Sequence, residues 1–476
     1  MNTRGGSRRG TAPVYSRSVS RETVDQTDRL GPGQVARAPA VPGLVLVFAA
    51  GKPAAVPIPL SGGELELGRD HPAFAAHPDP RLSRRHVAIR FDGQFVAADL
   101  GSRNGTSVDG EPLPPGAARA VTRALRAGDS LIIPVPDLGA FERLGVQLAG
   151  ERVEGPALQE VLRTAARAAQ LGATLHIGGE SGAGKEGVAR AFHAAGPAPG
   201  GPLVAVNCAT IPDNLAERLL FGARRGAYSG ADADADGYAQ AAHGGTLFLD
   251  EVAELGPAVQ AKLLRLLETS EIVPLGASRP RKIDLRFCSA THRDLRAQVA
   301  AGKLREDLYF RIAVPRVIVP PLRERREEIP WLVHGEVART AGELSVHASF
   351  VEACLLRAWP GNVRELLAET RAAVQSAALA GAPRLEAPHL SASAGAAFAR
   401  ADAAPAPAAD PPPAPTRAAP PPTRAQLASV LRRSEGNISA AARELGVHRT
   451  QLRRWLARHD LDPRAFAPAG EADRDE

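Results

Sequence analysis

Leu175-His-Ile-Gly-Gly-Glu-Ser-Gly-Ala-Gly-Lys185-Glu186 is the stretch from which the rest of the chain can be read. A short apolar run, fit for a strand, passes into glycines and a lysine, and Val188-Ala-Arg-Ala-Phe-His193 continues as a helix. The spacing is that of a phosphate-binding loop, GxxxxGK, except that Glu186 follows the lysine where Ser or Thr is usual. Glycines let backbone N–H groups converge on phosphate oxygens. The helix start adds a favourable dipole, and Lys185 supplies a point charge for the outer phosphates. Gly179, Glu180, Ser181, Gly182, Ala183, Gly184, Lys185 and Glu186 are therefore the candidate nucleotide contacts. A second half-site follows at Gly244-Gly-Thr-Leu-Phe-Leu-Asp250-Glu251. An apolar strand ending in two carboxylates is what metal and water positioning need.

The 476 residues predict roughly two to four domains. A hydrophobic content of 44% is enough for real cores. The net charge of +6 and pI near 9.6 give mild support for an anionic partner such as nucleic acid. Cys208, Cys288 and Cys354 make no metal spacing and read as buried small residues in a reducing cytosol. No apolar run reaches membrane-spanning length, and residues 1–40 lack the charged-then-apolar order of a signal peptide. The expectation is a soluble, cytoplasmic protein with no membrane partner.

Residues 1–40, rich in Arg, Ser, Thr, Gly and Pro, read as a disordered basic arm carrying Thr23 and Thr27 in an acid-flanked patch. From 41 to 149 the text is short strands and turns: Val45, Val47, Val56, Ile58, Leu65 and Leu67 alternate, as do Val87 with Ile89 and Phe95 with Ala97. That is the pattern of an all-β sandwich. Leu67-Gly68-Arg69, Leu82-Ser83-Arg84-Arg85-His86 and Asp99-Leu-Gly-Ser102-Arg-Asn104-Gly105-Thr106 resemble the motifs of a forkhead-associated (FHA) domain, a binder of phosphothreonine peptides. The resemblance implies that Arg69 and Ser83 contact phosphate with Arg84 nearby. Asn104 would hold the peptide backbone and His86 would brace the loop. A phosphate dianion suits an Arg fork and hydroxyl or amide donors on rigid loops. The peptide would come from a phosphothreonine protein or from this chain's own arm, phosphorylated at Thr23 or Thr27.

Residues 150–330 alternate helices and strands, the text of a doubly wound parallel sheet with ligands at the strand C-termini. This block, and the text on to about residue 390, resembles the AAA+ ATPase of sigma-54-dependent transcription activators, the bacterial enhancer-binding proteins. Pro320-Pro-Leu-Arg-Glu-Arg-Arg-Glu-Glu-Ile-Pro330 and Trp359-Pro-Gly-Asn-Val-Arg364-Glu-Leu366 carry the likeness into a helical lid over 331–395. The resemblance implies ATP and Mg2+. Lys185 would serve the phosphates, Asp250 would hold Mg2+, and Glu251 would orient or deprotonate the attacking water. Asn207 would restrain Glu251, although a plain strand-end cap is the other reading of that residue. Thr291 and His292 stand at the γ-phosphate-sensing position, where the family usually has Thr-Asn. Arg305 and Arg311 would reach a neighbour's nucleotide as arginine fingers in a ring, a hexamer by the family pattern, and Arg364 would be the lid's sensor.

Gly226-Ala227-Tyr228-Ser229-Gly230-Ala231 resembles the GAFTGA loop that touches sigma-54, with Tyr for Phe and Ser for Thr. The aromatic tip and the hydroxyl are kept, between glycines that permit a sharp loop; an inert surface turn is the other reading. Asp232, Asp234 and Asp236 read as solvated carboxylates rather than a metal site. The Ala/Pro tract 396–424 reads as a semi-stiff linker. Residues 425–463 resemble a Fis-type helix-turn-helix, with Arg449, Thr450, Gln451, Arg453 and Arg454 outward on its second helix to meet double-stranded DNA and Trp455 as a core packer. Residues 464–476 read as a frayed tail.

The expected fold is thus multidomain: an all-β FHA sandwich, an α/β AAA+ domain with a helical lid, and an all-α helix-turn-helix. The expected function is ATP-driven remodelling of sigma-54 RNA polymerase to the open complex, under phosphothreonine control. Ser229 and His292, as departures from the family pattern, leave a rival open: a phosphopeptide-binding DNA adaptor or repressor that does not activate sigma-54.

Overall fold

Every residue of the strand Gly43–Ala49 is buried, because it has protein on both faces. The computed structural model describes residues 41–60, 63–150, 152–228, 232–342, 344–396, 422–445, 447 and 449–466. It sets this strand in a six-stranded sheet ordered Lys52–Ile58, Gly43–Ala49, Ser130–Val135, Leu125–Ala127, Thr106–Val108, Glu111–Leu113. A four-stranded sheet of Glu64–Leu67, Val87–Phe91, Phe95–Asp99 and Ala118–Ala120 packs against it. Val87 with Ile89 and Phe95 with Ala97 point between the sheets, as their alternation predicts, and meet Leu44, Leu46, Leu67 and Ile132 there. The segment after Arg69 forms the 3-10 turn Pro72–Phe74, capped by the His71 ring, which seats Phe74 in the same core.

Val45 and Val47 face the other way. With Phe48, Leu131, Ile133 and Val135 they form one wall of a second core whose opposite wall is helical, built from Val333, Phe350, Val351, Cys354 and Leu355. A bulge between Leu46 and Phe48 turns Phe48 to the side of Val47. The helices are Ile329–Ala341, Ala348–Leu355 and Asn362–Leu379, the expected lid, which begins slightly before residue 331. Polar contacts rim this core. The Glu352 carboxylate accepts from the Ser107 hydroxyl and pairs with Arg126 at 2.7 Å. Arg123 donates to the Leu356 carbonyl, and Asp129 faces the His347 ring across 3.3 Å. Sandwich and lid are therefore joined by shared apolar surface.

The α/β domain holds five parallel strands in the order Leu203–Asn207, Thr246–Asp250, Arg286–Thr291, Thr174–Gly178, Arg316–Ile318. The phosphate loop leaves the C-terminal end of Thr174–Gly178. Asn207, Asp250 and Thr291 end their own strands at the same edge, where this fold class binds ligands. Cys208, Cys288 and Cys354 are buried, and burial pushes their thiols up, to about 12 for Cys208 and Cys354.

The C-terminal unit comprises the helices Arg424–Arg433, Ile438–Glu444 and Arg449–Arg458 around Leu427, Val430, Leu431, Ala441, Leu452 and Leu456. Asn437 caps the middle helix, its Oδ1 accepting from the Ser439 and Ala440 amides. Thr23, Thr27, Ser229, Gly230, Ala231 and most of the Ala/Pro tract lie outside the described residues. Among the described residues no helix is long and apolar enough to cross a membrane.

Candidate functional site

Between the strand Thr174–Gly178 and the helix Lys185–Ala194 the backbone turns through Gly182 at φ +73° and Gly184 at φ +100°, where a side chain would be strained. A Cβ on Gly182 would also meet the Gly361 carbonyl at 2.2 Å, so the lid can rest directly on the loop. Lys185 is 6% exposed. Its ammonium donates to the Gly179 and Glu180 carbonyls at 3.1 and 3.5 Å and lies 3.4 Å from Glu251 Oε1. Above the loop is a cavity of about 520 Å³ whose polar end holds residues 181–187, Asn207, Asp250, Glu251 and Arg364. Its apolar end is Val153, Leu158, Leu162, Leu332, Val363 and Leu367. Phosphates suit the first end and a flat heterocycle the second.

The apolar end was not foreseen in the sequence, and the two lid strings acquire a mechanical role. Arg325, 1% exposed, donates to the Ala183 carbonyl at 2.8 Å, the Pro320 carbonyl at 3.0 Å and Glu328 at 2.7 Å. Arg323 grips Glu180 with both terminal nitrogens, at 2.9 and 2.7 Å. Asn362 donates to Glu180 and to the Ser181 carbonyl, and Arg364 to the Ser181 hydroxyl. The strings thus clamp the phosphate loop from the lid side. Glu327 is buried beside Glu328, and burial, then that neighbour's charge, pushes its carboxyl up to about 8.

The two strand-end carboxylates are driven apart. Burial raises Asp250, the charge of Glu251 adds to this, and Lys185 only partly opposes it. Burial works against ionised Glu251 too, but there the hydrogen bond from His292 and the charge of Lys185 win, and its pKa falls. Asp250 offers carboxylate oxygens, and a hard dication beside them would favour the ionised form that burial opposes, so the residues fit Mg2+. Glu251 has φ +53°, an uncommon conformation for a residue with a side chain. Its Oε2 accepts from His292 Nδ1 at 2.8 Å and Thr291 Oγ1 at 3.1 Å.

Asn207 departs from expectation. Its side chain caps the turn that follows, Oδ1 accepting from the Ala209 amide at 3.0 Å, and among the described residues it has no hydrogen bond to Glu251. The local turn offers a free amide two residues on, which the side-chain oxygen takes. Glu186 lines the cavity while its carboxylate takes Arg190 at 2.6 Å, one helical turn away.

Arg305 is the N-cap of the helix Glu306–Ile312 and Arg311 lies in its last turn; neither lines its own chain's cavity. Arg305 pairs with Asp307, and Arg311 donates to the Leu267 carbonyl. Exposed Phe310, Val314 and Ile318 follow closely in sequence. Tyr228, 37% exposed, receives a 2.7 Å hydrogen bond from Arg218, whose guanidinium also lies 5.2 Å from the ring centroid. Asp234 pairs with Arg224 and Asp236 with Arg281, so these carboxylates brace the base of the loop; no metal-like cluster occurs among the described residues.

On the sandwich, the Arg69 amide donates to the Ser83 carbonyl, the Arg103 amide to Ser83 Oγ, and the Asn104 amide nitrogen to the Arg81 carbonyl. A Cβ on Gly68 would lie 1.9 Å from the Arg84 carbonyl, which is why glycine stands there. Buried His86 braces the loops as expected, accepting from the Ser83 amide at 3.1 Å and contacting the Gly105 carbonyl at 3.1 Å. Arg69 and Arg84 are exposed and have no ion-pair partner among the described residues, so both are available to an anion. In the C-terminal unit Arg449, Thr450, Gln451, Arg453 and Arg454 are exposed while Leu452 and Leu456 are buried and Trp455 packs on the core.

Three family profiles match the chain: the Sigma-54 interaction domain over residues 152–318, the FHA domain over 65–134, and the Bacterial regulatory protein, Fis family, over 424–459. The hydrogenase transcriptional regulatory protein HoxA of Bradyrhizobium diazoefficiens is 40% identical over 66% of this chain and 64% of its own length. The chain thus covers less than two thirds of that relative. The transcriptional regulatory protein GlrR of Escherichia coli is 37% identical over 65% of this chain and 68% of its own. A solved structure of NtrX from Brucella abortus in complex with ADP is 32% identical over 66% of this chain and 70% of that one, with a TM-score of 0.47.

Proposed function

The chain belongs to the family of sigma-54-dependent transcriptional regulators, and from that premise we propose that it is an ATPase that remodels sigma-54 RNA polymerase under phosphothreonine control. One observation carries the reading. A single cavity joins a phosphate loop with a buried lysine, a cation-ready Asp250 and an ionised Glu251, while the two candidate finger arginines lie outside it. ATP would place its base against Leu158, Leu162, Leu332 and Leu367. Lys185 would exchange its carbonyl partners for phosphate oxygens. Mg2+, held by Asp250, would neutralise charge on the β- and γ-phosphates. Glu251 would take the proton of the attacking water. Arg305 and Arg311 of an adjoining protomer would meet the charge that spreads over the γ-phosphoryl oxygens, which requires a homo-oligomeric ring. The exposed Phe310, Val314 and Ile318 supply apolar surface for that contact.

The loop at Tyr228 would bear on sigma-54, and the second helix of the C-terminal unit would hold double-stranded DNA through Arg449, Thr450, Gln451, Arg453 and Arg454. Arg69, Ser83, Arg84 and Asn104 would bind phosphothreonine, on a phosphorylated protein or on Thr23 or Thr27 of the chain's own arm. Occupancy of the sandwich would reach the lid through the six-stranded sheet and the core that it shares with the lid helices. The test is ATP turnover together with open-complex formation on a supercoiled sigma-54 promoter. The reading expects both, and their loss in Lys185→Ala; turnover without promoter opening would favour a DNA-bound phosphopeptide adaptor instead.

A further inference from the structure

Glu251 is the group on which hydrolysis turns, and the structure shows what holds it. Both carboxylate oxygens are occupied, but by partners of different kinds. Oε1 faces the Lys185 ammonium at 3.4 Å. Oε2 takes His292 Nδ1 at 2.8 Å, Thr291 Oγ1 at 3.1 Å and the His292 amide at 3.4 Å. A carboxylate accepts only, so His292 must carry its proton on Nδ1. Lys185 is a temporary partner: incoming phosphates draw it away and free Oε1 toward the cavity. The contacts from Thr291 and His292 come from the end of a neighbouring buried strand and have no such reason to leave. They fix one oxygen and leave the other to face water.

We propose that His292 is the positioning residue for Glu251, holding Oε2 so that Oε1 meets the attacking water, and that in this chain it does the restraining work for which Asn207 is not placed. Asn207 caps its own turn through Oδ1, and its Nδ2, the atom that could donate to a carboxylate, makes no hydrogen bond to Glu251 among the described residues. The His292 side chain, in contrast, is 45% exposed at its outer edge while its inner nitrogen meets the carboxylate. The imidazole therefore costs the fold little and contributes mainly orientation. A misdirected base in a half-buried site forfeits part of the 10²–10⁴-fold that positioned proton transfer typically contributes. Binding of the nucleotide draws on the loop and the apolar wall, neither of which His292 touches.

This inference rests on the ATPase reading above, and the experiment separates the two. Steady-state ATP hydrolysis is measured for the full chain and for His292→Ala, His292→Asn, Glu251→Gln and the His292→Ala/Glu251→Gln double variant, with thermal unfolding of each. Expected is a fall in kcat of roughly tenfold or more for His292→Ala, with KM for ATP within about twofold. His292→Asn, whose amide can donate to the same oxygen, restores most of the rate. The double variant is no slower than Glu251→Gln alone, since a positioning residue has nothing left to position. An unaltered kcat in a folded His292→Ala protein overturns the proposal, as does an additive loss in the double variant or a loss that appears in KM. Absence of turnover in the unaltered chain would instead remove the ATPase reading itself.

Discussion

Phe48→Ala tests whether sandwich and lid are one cooperative body. Phe48 belongs to the sandwich by sequence, is fully buried, and lies among Val333, Phe350 and Leu355 of the lid helices. Truncating a buried phenylalanine costs about 3–5 kcal/mol. For a cooperative unit of the size of sandwich plus lid, each kcal/mol moves the melting temperature by about 2–4 °C, so the expected shift is about 6–20 °C. The chain supplies its own reporter. Its tryptophans are Trp331, Trp359 and Trp455, and none lies in the sandwich. Trp359 is buried in the lid, its indole donating to the Cys354 carbonyl at 2.7 Å. In a Trp455→Phe background, thermal unfolding followed by tryptophan fluorescence reads the lid side alone. A substitution in the sandwich should therefore shift a signal that comes only from the lid. If the fluorescence transition stays in place while circular dichroism shows the sandwich melting early, the shared core carries no coupling and the reasoning fails. Point substitution is the proper tool, because deleting residues 1–149 would strip Val333, Phe350, Val351 and Leu355 of their cover.

Two further outcomes follow from the geometry. Arg69→Ala should weaken binding of a phosphothreonine peptide by about 10- to 100-fold, since hydrogen bonds to charged groups contribute about 1.5–3 kcal/mol; calorimetry with phospho-Thr23 and phospho-Thr27 peptides also decides whether the arm is a ligand. Glu327 has a folded-state pKa near 8 against an ordinary 4.5. The folded chain thus holds a proton there that the unfolded chain releases, so stability is full below about pH 4.5 and declines as pH rises toward 8. Glu327→Gln should flatten that part of a melting-temperature profile, and an unchanged slope would show that the carboxyl is not protonated as its burial demands.

The nucleotide site was legible where its chemistry is local. Glycines and Lys185 sit within one turn, and Asp250 with Glu251 close one apolar strand, so spacing alone declared them. The apolar lining of the cavity was not legible, because Leu158, Leu162, Leu332 and Leu367 are ordinary apolar residues until the lid folds over the sheet. The same holds for His292, which meets Glu251 only because their strands are neighbours in the sheet. Asn207 is a different case: the family pattern pairs it with Glu251, while in the structure its Oδ1 caps the turn at Ala209, a local contact that a strand-end position also predicts. In the sandwich, alternation located the strands but left one face of Gly43–Ala49 without a partner. Alternation did not say what Val45 and Val47 face; the unbroken apolar run Leu44–Ala49 is what a strand buried on both sides requires. Periodicity cannot name the second partner of such a strand, which here arrives almost 300 residues later in the chain.

The lid lies between two candidate ligand sites. Arg364 on one side rests on the phosphate loop, and the far side is backed by the six-stranded sheet, against which packs the four-stranded sheet whose loop carries Arg69 and Ser83. Any influence of a bound phosphopeptide on nucleotide affinity must then be returned in equal measure, because linkage between two equilibria is symmetric. If the two sites are coupled through the lid, a change in the ratio of triphosphate to diphosphate would retune the affinity for phosphopeptide by the same factor.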